Sequence, residues 1–66
     1  MDEETISCTF ITSTDRAVLI EVDGVEDWIP KSQISDASVE DLDDLEKGDK
    51  VDITIPAWLA EEKEFI

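Results

Sequence analysis

Histidine is absent from this chain, and cysteine occurs once, at Cys8. Ser-His and Cys-His catalytic dyads therefore cannot be assembled. One thiolate without an imidazole cannot make a zinc site, and no internal disulfide is possible. With Gly24 and Gly48 the only glycines, there is no glycine-rich phosphate loop. Cations are scarce too. Arg16, Lys31, Lys47, Lys50 and Lys63 are scattered along the chain, which disfavours direct binding to DNA, RNA or an anionic membrane. No apolar run approaches the length of a transmembrane helix, and the acidic "MDEETIS" is unlike a signal peptide. These absences point away from an enzyme and a cofactor, and towards a protein of the reducing cytoplasm.

What the chain has is acid. Nineteen carboxylates against five cations give −14 in 66 residues. A domain this small buries only about 60% of its unfolded surface, so its stability is marginal. Self-repulsion of that size opposes compaction, and a fold that bears it is expected to use the charge. The simplest use is solubility. The charge is spread over the chain but peaks in "SDASVEDLDDLEKGD", residues 35–49, with seven carboxylates and one lysine. A calcium loop starting at Asp41 fails, because Leu45 and Glu46 stand where an oxygen ligand and a glycine are needed.

The apolar pattern describes one small domain over residues 1–66. In "TISCTFIT", Ile6, Cys8 and Phe10 alternate with Thr5, Ser7 and Thr9, as in a half-buried strand with Cys8 as a small core residue. "STDR" turns the chain into "AVLIEV". Asp23-Gly24 then predicts a type I′ hairpin, pairing Val22 with Val25, Glu21 with Glu26, Ile20 with Asp27, Leu19 with Trp28 and Val18 with Ile29. Glu21 opposite Glu26 is a like-charge pair, and Asp27 fits poorly on the face of Ile20, so a bulge or slipped register is an open alternative. Pro30 ends this strand, and "KSQI" adds a short segment with Ile34 turned inward. Ser38 to Asp41 has capping-box spacing, and Val39, Leu42 and Leu45 predict a short helix over residues 39–47 ending at Gly48. "KVDITI" is a strand with Val51, Ile53 and Ile55 inward. Pro56 opens a closing helix, "PAWLAEEKEFI", whose stripe pairs Trp58 with Phe65 and Leu59 with Ile66. Both tryptophans are expected in the core. The fold class is α+β: a small antiparallel β-sheet or barrel of about four strands, with a short acidic helix or loop and a C-terminal helix.

Two runs, Trp28-Ile29-Pro30-Lys31-Ser32 and Pro56 to Lys63, carry a resemblance. Over residues 16–66 the chain resembles a small module of bacteriophage and prophage proteins, in which a hairpin ending in Trp-Ile-Pro-Lys-Ser precedes an acidic segment, a strand and a Trp-Leu-Ala helix. The resemblance implies an accessory of phage DNA metabolism with no catalytic residues. In size and charge the chain is also similar to anti-CRISPR proteins, some of which imitate DNA.

The expected function is acidic DNA mimicry by a phage-type inhibitor. It would fill the basic nucleic-acid groove of a host defence complex of the CRISPR-Cas type, in the bacterial cytoplasm. Glu40, Asp41, Asp43, Asp44 and Glu46 are the main candidates, with Glu21, Glu26 and Asp27 as a second patch. The alternative is an accessory interaction module of phage replication or recombination. It would recruit its partner through a strand edge or the C-terminal helix.

Overall fold

The computed structural model of the chain describes residues 2–65. Five antiparallel strands and one short helix follow one another as β1 (Glu3–Ser13), β2 (Ala17–Val22), β3 (Val25–Pro30), β4 (Asp36–Ala37), β5 (Lys50–Pro56) and α1 (Ala57–Glu62). Single turns of 3-10 helix lie at Lys31–Gln33 and Leu42–Asp44. The sheet order is β3-β2-β1-β5-β4, with the long β1 in the centre. The sheet is open, not a closed barrel, and it has one strand more than the sequence suggested, because the two-residue β4 carries no apolar alternation that would reveal it.

One face of this sheet holds the core. Ile6, Cys8 and Phe10 of β1, Val18 and Ile20 of β2, Ile29 of β3, and Val51, Ile53 and Ile55 of β5 are all buried, and Leu59 and Ala60 of α1 close over them. The alternation read from "TISCTFIT" and "KVDITI" thus places its apolar members on the inner face. Ile6 stands opposite Ile53, and Cys8 opposite Val51. Ile34, Val39, Leu42, Leu45 and Phe65 pack against the margin of this core.

The hairpin register matches the sequence reading at every pair from Val22–Val25 to Val18–Ile29. Asp23 and Gly24 take φ of 51° and 84°, the two positive values that a type I′ turn requires. No slip occurs here. The irregularity lies instead between β1 and β2, where Ile11 is the extra residue between Phe10 and Thr12. The misfit of Asp27 is resolved at the sheet margin. Its Oδ1 accepts from the Trp28 N–H at 2.8 Å and pairs with Lys63 Nζ at 3.3 Å.

Three other expectations are corrected. The helix over residues 39–47 does not form: only the turn Leu42–Asp44 is helical, and its N-cap is Asp41, whose side chain accepts from the Asp43 N–H. Ser38 joins β5 instead, its N–H donating to Asp52 O and its Oγ accepting from the Asp52 N–H. Glu40, Asp43 and Asp44 would have been crowded on one helical face, and such like-charge neighbours oppose a helix that is too short to stand alone. Gly48, at φ 95°, donates its N–H to Phe10 O, the Phe10 N–H donates to Asp49 O, and the turn feeds β5 rather than ending a helix.

The tryptophans are not core residues. Trp28 is 41% exposed and Trp58 is 57% exposed. Leu19 and Trp28 do pair, but on the outer face, because Val18, Ile20 and Ile29 take the inner one. The closing helix stops at Glu62, so no stripe runs from Trp58 to Phe65. Glu64 adopts φ 63°, and the Phe65 N–H reaches back to Ala60 O, folding Phe65 onto the core. The Leu59–Ile66 pairing lies outside the described residues.

Candidate acidic interface

Among the described residues no charged or polar side chain is buried, so their charge lies at the surface. Two ion pairs form there: Lys31 with Asp43 at 2.7 Å and Lys63 with Asp27 at 3.3 Å. The hydrogen bond and charge of Lys31 hold the Asp43 carboxyl below its ordinary value. Each pair joins segments distant in sequence. The first ties the turn after β3 to the acidic excursion, and the second ties the end of α1 to the edge strand β3.

The eight candidate carboxylates divide by what they hold. Asp41 caps the Leu42–Asp44 turn, Asp43 pairs with Lys31, and Asp27 is engaged by Lys63 and the Trp28 N–H. These three serve the fold. Glu40, Asp44, Glu46, Glu21 and Glu26 make no side-chain hydrogen bond or ion pair among the described residues, and so stand free to meet a partner. Glu40, Asp44 and Glu46 share the excursion between β4 and β5. Glu46 begins a turn that Asp49 closes, with the Glu46 N–H donating to Asp49 Oδ2.

The second patch is divided. Glu21 and Glu26 are cross-strand neighbours on the outer face, in a row that continues to Thr9 and Lys50. Lys50 Nζ donates to Thr9 Oγ1 at 3.0 Å, so a cation ends that row. Asp27 belongs to the opposite face, opposite the buried Ile20, and does not join Glu21 and Glu26. Asp23, at the exposed tip of the hairpin beside Glu21, and Asp52, beside Ser7 on the outer face, extend the acidic surface. Asp23 could have been found from sequence, since the tip of a type I′ turn points into solvent.

Two surface tryptophans were missed as interface candidates. Each is followed by an apolar residue, and an amphipathic pattern does not say which side of a short element faces out. Trp58 stands in a groove with Asp2, Glu3, Gln33, Pro56 and Glu61. Cys8 offers no chemistry. It is buried, its Sγ donates to Val51 O at 3.3 Å, and burial with help from the Asp52 charge pushes its thiol up to about 11. Among the described residues no three carboxylate or thiol side chains converge as metal ligands would. No described helix is long and apolar enough to cross a membrane.

No family model matches the chain, and neither a curated protein nor a solved structure matches it.

Proposed function

We propose that this protein occupies the basic groove of a nucleic-acid-binding protein by standing in for phosphates, as a phage-type inhibitor of a bacterial defence complex of the CRISPR-Cas kind. The observation that carries this reading is charge per length. The molecule measures 29 Å along its longest axis and carries −14. Duplex DNA of that length carries about 17 phosphates, at one charge per ~1.7 Å of axis. A groove lined with Lys and Arg for the one would release counterions to the other by the same logic. Catalysis has no part in this reading. The excursion with Glu40, Asp44 and Glu46 is its centre, and Glu21 and Glu26 extend it.

The test is capture from a bacterial lysate on the immobilised chain, with elution by rising salt. The expected result is recovery of a basic DNA-binding protein or complex whose DNA binding the chain inhibits. Replacing Glu40, Asp44 and Glu46 by Gln, Asn and Gln should then flatten the salt slope by roughly 2–3, at about 0.9 per charge lost. Recovery of no such partner, or an unchanged slope, would sink the proposal.

The exposure of Trp58 favours a second reading, an accessory interaction module of phage DNA replication or recombination. That reading expects salt-tolerant binding lost on Trp58→Ala and kept in the acidic variants. A strand edge is a poorer recruiting surface for such a module, because on each edge one backbone N–H, that of Trp28 or Ala37, is taken by the preceding aspartate.

A further inference from the structure

We infer that the groove around Trp58 is a cation-stacking site that takes an arginine side chain of a basic protein partner. The inference rests on the partner being basic, as in the reading above. It adds an anchor that charge alone does not supply.

Trp58 lies at the second position of α1, with 57% of its surface exposed. It is nevertheless held in place. Leu59 and Ala60 beside it are buried, and the Ala57 N–H donates to Asp2 O at 3.0 Å. The helix start is thereby fixed to the entry of β1. Asp2, Glu3 and Glu61 line the groove with the indole, and no lysine or arginine lines it among the described residues. Glu61 follows Trp58 by three positions, so the two share a helix face. Glu3 is oriented by the Ser35 hydroxyl, which donates to its Oε2 at 2.6 Å.

An aromatic face ringed by carboxylates is complementary to one class of group. A cation gains from the ring quadrupole and from the acids together. A second copy of this chain brings −14 to the contact and is repelled. A purely apolar ligand would leave the Asp2 and Glu61 carboxylates without partners. Arginine fits better than lysine, because its planar guanidinium stacks on the indole while its fork of donors reaches the flanking carboxylates. Trp28 lies on the open outer face of the sheet with Leu19, Glu21 and Glu26, outside the Trp58 groove, and provides an internal comparison.

The experiment titrates the full chain with nona-arginine and nona-lysine peptides at low salt, following the two indole N–H signals by NMR. The Trp58 signal is expected to shift saturably and more than that of Trp28. Trp58→Ala should weaken nona-arginine binding roughly 3- to 30-fold, with Trp58→Phe retaining part of it. The loss for nona-lysine should be smaller. Asp2→Asn with Glu61→Gln provides a second route that leaves the indole in place and should also weaken binding. If Trp58→Ala binds nona-arginine like the parent while the Glu40, Asp44 and Glu46 variant binds less, the groove is not the site and the phosphate-mimic reading stands. If only Trp58→Ala weakens binding, the groove stands and the mimic reading falls. A parent chain that binds neither peptide overturns both.

Discussion

At the scale of single residues, the carboxylates are not equivalent. Some are parts of the fold: Asp41 caps a turn, Asp43 holds Lys31, and Asp27 and Asp36 each bind the N–H that follows them. Others have no such duty. The sequence displays all of them as one acidic composition, because a capping or paired Asp is written with the same letter as a free one. Cys8 is the opposite case, legible at once as an inward member of an alternating strand. Its thiol is raised from about 9.0 to about 11, so the protonated form is the one the fold favours. Its contribution to stability is therefore fully present below the unfolded value and is lost as pH rises towards 11. Denaturant melts at pH 8 and pH 10.5 should show a loss that Cys8→Val reduces. A thiol reagent at pH 8 should label the native chain far more slowly than the unfolded one. Equal labelling rates would contradict the burial of the thiol.

At the scale of elements, the hairpin was the most legible piece. Asp-Gly fixes a two-residue loop, and a two-residue loop fixes the register. Which face turns inward was not fixed by the pairing itself, since Leu19–Trp28 and Val18–Ile29 are both good apolar pairs. Glu21 and Glu26 share the face of Leu19 and Trp28, and solvating those two carboxylates decides the matter. Both sheet edges carry the same device against further pairing. Asp27 holds the Trp28 N–H on β3, and Asp36 holds the Ala37 N–H on β4 at 2.9 Å. The end of α1 has a weakness. Its Schellman-type closure places Glu64, not glycine, at positive φ. Glu64→Gly should therefore stabilise the protein by up to about 1 kcal/mol, read as a raised thermal midpoint beyond that of Glu64→Gln. A lower midpoint for the glycine variant than for the glutamine one would show that the left-handed backbone is not the strained feature.

At the scale of the whole molecule, the charge works against the fold that displays it. Among the described residues all of it lies at the surface, around eleven buried residues. The two lysine pairs join distant segments but neutralise little of the total. Screening should therefore stabilise the protein. Raising sodium chloride from 20 mM to 0.5 M shortens the Debye length several-fold and should add about 1 kcal/mol, or roughly 4–8 °C of melting temperature. A flat or falling midpoint over that range would mean that repulsion is not a net cost. The same salt series should weaken binding to a basic partner, so stability and affinity move in opposite directions.

The sequence by itself determined the alternating strands, the hairpin register, the inward residues of β1 and β5, and the excess of acid. These are local properties: a two-residue period, a turn that needs positive φ, and a count of charges. Tertiary structure alone decided that residues 39–47 are a turn pinned by Lys31, that Lys63 takes up the misfit of Asp27, and that both tryptophans lie at the surface. Each of these outcomes turns on which neighbour arrives from far along the chain. Lys31 reaches Asp43 and Lys63 reaches Asp27, while Ile29, Leu59 and Ala60 fill the inner face and leave no room there for an indole. Periodicity along the chain records the competition for that space but not its winner, which is settled by packing volume and by the cost of burying a carboxylate.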